Sequence, residues 1–140
     1  MKVLYTTDAL ATGDGREGHG RSGDGVLDVT LGLPTGMGGS GKGTNPEQLF
    51  AVGYAACYHN ALRIVGRQAK ADITDSAVGA QVTLGQTEEG DYQLAVILEV
   101  SLPNLDASTA RELADQAHQM CPYSRATRGN IDVEVTLVSE

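Results

Sequence analysis

Residues 44–57, TNPEQLFAVGYAAC, contain a strong signal for the start of a long helix. Thr44 or Asn45 can cap such a helix, and Pro46 suits its first turn. Glu47 either completes a capping box or complements the helix dipole. The residues that follow are apolar all round and mostly small, as in a helix buried on every side. One small domain can hardly cover such a helix, so we expect a partner subunit to help bury it in a two-fold homodimer.

Segments in which apolar residues recur at every second position are predicted to be strands. These are a weak opening strand at 3–7 and half-buried strands at 25–33, 78–84, 92–102 and 131–137. Residues 88–91 are polar and include a glycine, so we expect them to close a hairpin.

A second helix is predicted to begin near Asp106 or Ser108. Pro122 ends or restarts it, which leaves Cys121 at a helix junction. The element order ββαββαβ predicts an α+β fold with mostly antiparallel sheets around two main helices. The apolar positions of this second helix recur at three- and four-residue spacing, at Ala110, Leu113, Ala114, Ala117, Met120 and Cys121.

Length and charge restrict the class of protein. With 140 residues the chain is expected to be a single domain, 1–140, without a structural metal or disulfide. A net charge of -8 argues against nucleic acid and anionic membranes as partners, because both are bound through Lys and Arg. No apolar run approaches the roughly 20 residues of a membrane-spanning helix, and no secretory signal opens the chain. We therefore expect a cytoplasmic protein.

Two glycine-rich stretches resemble nucleotide-binding loops. Residues 13–18, GDGREG, match the dinucleotide fingerprint, but more glycines follow where a helix should begin, so we predict a mobile loop. Residues 36–42, GMGGSGK, resemble a phosphate-binding loop, but Gly43 stands where a Ser or Thr should hold magnesium. A nucleotide-binding regulator is therefore a weak alternative. A non-catalytic protein whose cysteines only fill the core is another.

The chain has two cysteines, and they could belong to a metal site or to a redox pair. Cys57, His59, His118 and Cys121 could supply zinc ligands, but Cys57 and His59 point to different sides of a helix. His118 lies in the polar stripe of its helix, where a solvated histidine is ordinary. We therefore expect no bound metal.

A redox role for Cys57 has a physical requirement. Only the thiolate attacks, and apolar surroundings raise the pKa of a cysteine. A cation must therefore be supplied, most simply an arginine held by a carboxylate, and Glu47 could hold it. Glu47 as a mere capping residue is an equally good interpretation. The candidate cations are Arg16, Arg21, Lys42, Arg125 and Arg128.

Several stretches resemble the organic hydroperoxide resistance (Ohr) proteins of the OsmC/Ohr family. They are GTNPEQLF at 43–50, GYAAC at 53–57 and CPYSRATRGN at 121–130, with VLYT at 3–6 and GVLDV at 25–29. The resemblance implies the OsmC/Ohr-like fold, an intertwined homodimer, and a cysteine-based peroxidase that reduces organic hydroperoxides, including those of fatty acids. It also implies that no cofactor is bound and that the reductant is dihydrolipoamide on lipoylated proteins of dehydrogenase complexes.

The resemblance also assigns site residues. It implies that Cys57 is the peroxidatic cysteine, Cys121 the resolving one, and Glu47 the carboxylate that holds Arg16 near the thiolate. The loop before Arg16 is one residue longer than the family pattern. Counting back from Ser22-Gly23-Asp24 still selects Arg16, with Arg21 as the alternative. The residues that we expect to line an apolar entrance for alkyl hydroperoxides are Met37, Phe50 and Tyr123.

Overall fold

The computed structural model describes residues 1–138. The chain divides into two compact units, a first that ends at Leu49 and a second that begins at Phe50. The secondary structure is mixed, with two three-stranded sheets, so the predicted α+β fold is confirmed. That the units make one domain stays a prediction. The elements are β1 (Ala9–Thr12), β2 (His19–Ser22), β3 (Asp28–Thr30), α1 (Pro46–Gln68), β4 (Ala77–Gln86), β5 (Tyr92–Ser101), α2 (Ala107–Met120), α3 (Pro122–Thr127) and β6 (Val133–Leu137), with short 3-10 helices at Gly15–Glu17 and Thr35–Met37.

The first unit contains an antiparallel sheet of order β1-β2-β3. The strand predicted at 3–7 is wrong, because these residues pair with no strand within 1–138 and the first ladder begins at Ala9. The strand predicted at 25–33 is present but covers only the residues of β3. Strand β2 is not among the predicted strands, since its four residues, HGRS, show no apolar alternation.

Both glycine-rich stretches lie outside the settings that nucleotide loops need. Residues 13–18 connect two antiparallel strands, with Thr12 paired to His19, and include the first 3-10 helix. Residues 36–42 follow Pro34 and overlap the second 3-10 helix. A dinucleotide loop instead joins a parallel strand to a helix. That the first loop is mobile stays a prediction.

Helix α1 begins as predicted, and its cap is now identified. The side chain of Asn45 accepts a 2.9 Å hydrogen bond from the backbone of Gln48, and Thr44 donates to the Gln48 side chain. One stripe of the helix is buried in the second unit, while Val52 on another side is 70% exposed. Within the single chain α1 is therefore not buried all round, and its burial by a partner stays a prediction.

The second unit holds the main core. Strands β4 and β5 form the predicted hairpin, with Gln86 opposite Tyr92, while β6 joins β5 in parallel. This parallel pairing follows from the connection, because α2 and α3 carry the chain back between β5 and β6. Residues of α1, α2 and β5 supply the fully or nearly fully buried side chains of this core, including Tyr54, Tyr58, Leu62, Leu98, Val100, Leu113, Ala114 and Ala117.

Helix α2 confirms the predicted boundaries. Asp106 caps it by accepting a hydrogen bond from the backbone of Thr109, and Cys121 separates it from α3. Met120 is predicted to lie in the buried stripe of α2, but the residue is 43% exposed. At 3.6 residues per turn, position 120 falls at the edge of the stripe. Within residues 1–138, no helix is long and apolar enough to cross a bilayer.

Candidate active site

Cys57 and Cys121 face each other in the second unit. Their Sγ atoms are 3.8 Å apart, and both are free thiols. Cys121 is completely buried, whereas Cys57 is only partly buried. A disulfide needs a separation of about 2.05 Å, so a small approach of the two side chains would join them. The pair therefore has an accessible sulfur that can react with a small molecule and a buried sulfur placed to react with the first.

The pKa of the Cys57 thiol is raised, mainly because burial penalises its charged form. A hydrogen bond with the backbone of Tyr123 acts in the opposite direction, and the neighbouring Cys121 adds to the rise. Tyr123 lies in the first turn of α3, so α3 provides a contact for Cys57 that its own helix cannot. The net rise means that Cys57 needs further help to ionise.

Cys121 is held by the junction between α2 and α3. It ends α2 and caps α3, and its Sγ accepts a 3.5 Å hydrogen bond from the backbone of Ser124. Pro122 favours this geometry because it fits the first turn of a helix and cannot continue the preceding one. The sequence CPYS thus produces a local cap that points the sulfur inward.

Arg16 and Glu47 form an ion pair within the first unit. Both terminal nitrogens of Arg16 donate to the two carboxylate oxygens of Glu47, each at 2.7 Å. This two-bond contact is the strong form of an arginine–carboxylate pair. It holds the pKa of Glu47 below its ordinary value, against an opposing effect of burial. Glu47 is thus the carboxylate that holds an arginine, which is one of the two interpretations left open by the sequence.

The loop that carries Arg16 depends on a glycine. A Cβ atom at Gly18 would lie 2.1 Å from the carbonyl oxygen of Thr12, which no other residue can tolerate. The alternative arginine has another partner, since Arg21 lies 3.9 Å from Asp28 on the neighbouring strand. The structure therefore pairs Glu47 with Arg16 and not with Arg21.

Two of the three predicted pocket residues lie together. The rings of Phe50 and Tyr123 are 6.2 Å apart, and both lie against Tyr54, at 5.8 and 5.7 Å. Phe50 also lines a cavity of about 490 Å³ whose other walls come from the β4–β5 hairpin and the end of α3. Met37 lies in a 3-10 helix of the first unit and is about half exposed. Its place in the pocket stays a prediction.

Sequence reasoning missed a set of buried hydroxyl groups beside the cysteines. Tyr54 contacts Ser124 at 2.8 Å and Thr127 at 3.2 Å, and His118 contacts Ser124 at 2.8 Å. The prediction of a solvated His118 is therefore wrong, because its ring is half-buried and hydrogen-bonded. A usable signal was the spacing, since Tyr54 and Ser124 each lie three residues, or one turn, from a cysteine.

The four candidate zinc ligands do not form one cluster. Cys57 and Cys121 face each other, but the ring of His59 contacts Ser76 at 3.0 Å and that of His118 contacts Ser124. Among residues 1–138, no group of three or more His, Cys, Asp and Glu side chains is arranged to hold a metal.

Comparison with known proteins gives the family. A family model described as OsmC-like protein matches residues 39–136. The chain is 49% identical to the organic hydroperoxide resistance protein of Xanthomonas axonopodis pv. citri, over 97% of this chain and 96% of that protein. The chain belongs to the OsmC/Ohr family.

Two further members of the OsmC/Ohr family agree with this assignment. The organic hydroperoxide resistance protein OhrB of Bacillus subtilis is 46% identical over 96% of this chain and 98% of its own length. A crystal structure of an organic hydroperoxide resistance protein from Legionella pneumophila superposes with a TM-score of 0.93 at 43% identity, covering 99% of this chain and all of that one. The OsmC/Ohr-like fold predicted from the sequence is therefore confirmed.

Proposed function

We propose that this chain is a cysteine-based peroxidase that reduces organic hydroperoxides to alcohols and so detoxifies them during oxidative stress. The observation that carries the proposal is the 3.8 Å between the Sγ atoms of a partly exposed Cys57 and a buried Cys121. The names of the relatives, organic hydroperoxide resistance proteins, support the same class of substrate.

In the first step Cys57 is the nucleophile. A lone pair of its thiolate attacks the distal oxygen of the hydroperoxide, a sulfur–oxygen bond forms and the oxygen–oxygen bond breaks. The departing alkoxide takes a proton and leaves as the alcohol. Cys57 is oxidised by two electrons to a sulfenic acid, and the hydroperoxide is reduced by the same two electrons.

In the second step Cys121 resolves this intermediate. Its sulfur attacks the sulfur of Cys57, a disulfide forms, and the hydroxyl group leaves with the thiol proton as water. Because Cys121 is buried and already in contact with Cys57, this step is intramolecular, and we expect it to outpace overoxidation.

Arg16 and Glu47 are proposed to supply the cation that Cys57 lacks. Burial raises the pKa of Cys57, and a guanidinium near the sulfur would lower it again by favouring the charged form. The two hydrogen bonds from Arg16 to Glu47 would orient that guanidinium. The same or the partner subunit could supply it.

The disulfide is proposed to be reopened by dihydrolipoamide on a lipoylated protein. A dithiol provides the required two electrons and two protons and becomes a cyclic disulfide itself. No bound cofactor enters this cycle. A redox-active cysteine pair of this kind fits a reducing cytoplasm, where we place the enzyme.

Apolar side chains are proposed to select organic over inorganic hydroperoxide. Phe50 and Tyr123 form an aromatic surface, and the backbone of Tyr123 also makes a hydrogen bond with Cys57. Met37 would extend this surface. Burial of an alkyl or fatty chain against this surface makes the free energy of binding more favourable, whereas hydrogen peroxide has no apolar group to bury.

A homodimer is proposed as the working form. Val52 on α1 and Val3, Leu4 and Tyr5 at the start of the chain are at least 68% exposed in the single chain, which is unusual for so many apolar residues of a small protein. Sedimentation equilibrium should give twice the chain mass, 29 kDa from 14.6 kDa per chain. A monomer across the micromolar range would contradict the proposal.

One experiment separates the steps. Reduced protein receives one equivalent of cumene hydroperoxide, and free thiols are counted. Wild type should lose two thiols, Cys121→Ser should lose one and form a sulfenic acid that dimedone traps, and Cys57→Ser should lose none. Dihydrolipoamide should then restore the wild-type thiols, while an equal amount of glutathione should restore few.

The outcomes distinguish the parts of the proposal. Wild-type protein that leaves cumene hydroperoxide intact, or Cys57→Ser with wild-type activity, would show that the chain is not this peroxidase. Oxidised protein that dihydrolipoamide does not reduce would retain the peroxidase and overturn the proposed reductant. Equal rates with hydrogen peroxide would overturn the proposed selectivity.

A further inference from the structure

A chain of hydrogen bonds connects α1, α2 and α3 beside Cys121. It runs from His118 Nδ1 to Ser124 Oγ, then to the hydroxyl of Tyr54 and on to Thr127 Oγ1, with distances of 2.8, 2.8 and 3.2 Å. Tyr54 and Ser124 are completely buried and Thr127 is nearly so. Buried polar groups without a partner are costly, so the hydrogens in this chain should be arranged to fill every contact.

The direction of donation along this chain of hydrogen bonds follows from its Thr127 end. Thr127 Oγ1 lies 3.0 Å from the carbonyl oxygen of Tyr123 and 3.2 Å from that of Ser124. Carbonyl oxygens can only accept, so the single hydroxyl hydrogen of Thr127 goes to them. Thr127 must then accept from Tyr54.

The remaining hydrogens follow one after another. Tyr54 has one hydroxyl hydrogen and gives it to Thr127, so Tyr54 must accept from Ser124. Ser124 likewise has one and gives it to Tyr54, so it must accept from His118. The ring of His118 therefore carries its hydrogen on Nδ1. In the reverse direction Tyr54 would donate to Ser124, so either the Tyr54–Thr127 contact or the contacts of Thr127 with both carbonyl oxygens would lack a hydrogen.

We infer that His118 is a positioning residue, which donates from Nδ1 to Ser124 and thereby holds Cys121 in place to resolve oxidised Cys57. This inference rests on the proposed peroxidase function for its second half. The first half, the location of the hydrogen, rests on the hydrogen-bond geometry alone.

Ser124 connects this chain of hydrogen bonds to the Sγ atom of Cys121. Its backbone donates to Cys121 Sγ at 3.5 Å, while its side chain is held by His118 from α2 and by Tyr54 from α1. Tyr54 lies one turn before Cys57 in α1. These hydrogen bonds therefore connect the turn that carries Cys121 to the helix that carries Cys57. We expect them to favour formation of the disulfide and to leave the first step unchanged.

The surroundings of His118 favour its neutral ring. Burial lowers its pKa most, Arg128 and Arg111 lower it further, and Asp115 opposes them. The guanidinium of Arg128 also donates to the backbone carbonyl of His118 at 3.2 Å. A neutral ring has one N–H, and the geometry places it on Nδ1.

The test compares two variants of equal shape at position 118. Asn in His118→Asn can donate from a nitrogen close to the position of Nδ1, whereas Asp in His118→Asp can only accept. After one equivalent of cumene hydroperoxide, the lifetime of the Cys57 sulfenic acid reports resolution and its rate of appearance reports the first step. Gln119→Glu, on an exposed position of the same helix, controls for the added charge.

We expect His118→Asp to slow resolution about tenfold, the worth of one lost buried hydrogen bond, and His118→Asn to stay within about twofold of wild type. All variants should form the sulfenic acid at the wild-type rate. Equal resolution by Asp and Asn would overturn the role of His118, as would equal slowing by Gln119→Glu and His118→Asp.

A second measurement does not require any hydroperoxide. In ¹⁵N-histidine-labelled wild type above the pKa of the ring, NMR should show the Nδ1–H form for the signal that disappears in His118→Asn. An Nε2–H form would overturn the inference even if both variants misfold. If wild type fails to reduce hydroperoxide but shows the Nδ1–H form, the proposed function fails and the hydrogen-bond chain stands.

Discussion

The two halves of the proposed site are built in different ways. Cys57 and Cys121 lie in the second unit among buried side chains, and hydrogen bonds from α3 reach both sulfurs. Arg16 lies on a glycine-rich loop of the first unit, its side chain is 38% exposed, and the carboxylate of Glu47 binds it. The redox pair is thus held by the core, whereas its proposed cation is held by a partly buried ion pair. The two should therefore respond to mutation differently.

The largest effect should come from removing the cation. Arg16→Gln should lower the rate of the first step about 100-fold, because losing a cation beside a thiolate raises its pKa by roughly 2 units and lowers the thiolate fraction accordingly. Alkylation of Cys57 by iodoacetamide across pH measures that fraction. Arg21→Gln, four positions past the loop's 3-10 helix, is the control and should match wild type. An equal loss of rate in Arg16→Gln and Arg21→Gln would mean that the effect is not specific to Arg16.

The core half should respond in stability instead. Tyr54→Phe should lower the free energy of unfolding by about 1–3 kcal/mol, since the buried Ser124 hydroxyl loses the acceptor for its hydrogen and the Thr127 oxygen loses its donor. Urea unfolding followed by far-UV circular dichroism measures the change. Tyr92→Phe, on a side chain that is 77% exposed, should change stability very little. A stable Tyr54→Phe variant would mean that the hydroxyl chain does not hold this core.

The ion pair should contribute to stability only above a certain pH. Arg16 holds the pKa of Glu47 below its ordinary value of 4.5, so the pair's contribution is complete above that value and disappears as pH falls through the lowered pKa. Wild type should be slightly more stable than Glu47→Gln at pH 7, and the difference should shrink below pH 4.5. Because Arg16 is partly exposed, the effect is small. A difference that persists at low pH would assign it to something other than the charge of Glu47.

The smallest effect should come from the glycine beneath the aromatic surface. A Cβ atom at Gly53 would lie 3.2 Å from the hydroxyl oxygen of Tyr123, so Gly53→Ala should displace that flexible ring by a few tenths of an ångström. We expect a change of less than about threefold in the Michaelis constant for cumene hydroperoxide and none in stability beyond about 1 kcal/mol. Ala55→Gly on the same helix is a control for flexibility. A large loss with Gly53→Ala would show that the ring position is far stricter than its exposure suggests.

Sequence reasoning succeeded where the signal is local. The start of α1 at Pro46, the hairpin around residues 88–91 and the helix junction at Cys121 were all predicted, because caps, turns and prolines act within a few residues. It failed at residues 3–7, where alternation suggested a strand, because a strand also needs a neighbour and none pairs there within residues 1–138. It also missed β2, which has a neighbour on each side but no apolar pattern.

The sequence alone predicts the helix that carries Cys57, the helix junction at Cys121, the excess of negative charge and the resemblance to the OsmC/Ohr family. Contacts between remote residues come from the fold: Cys57 meets Cys121 across 64 positions, Glu47 holds Arg16 across 31, and Tyr54 reaches Ser124 across 70. The physical reason is distance along the chain. Periodicity and capping depend on neighbours a few residues apart, whereas these contacts exist only once the core has brought remote segments within hydrogen-bonding distance.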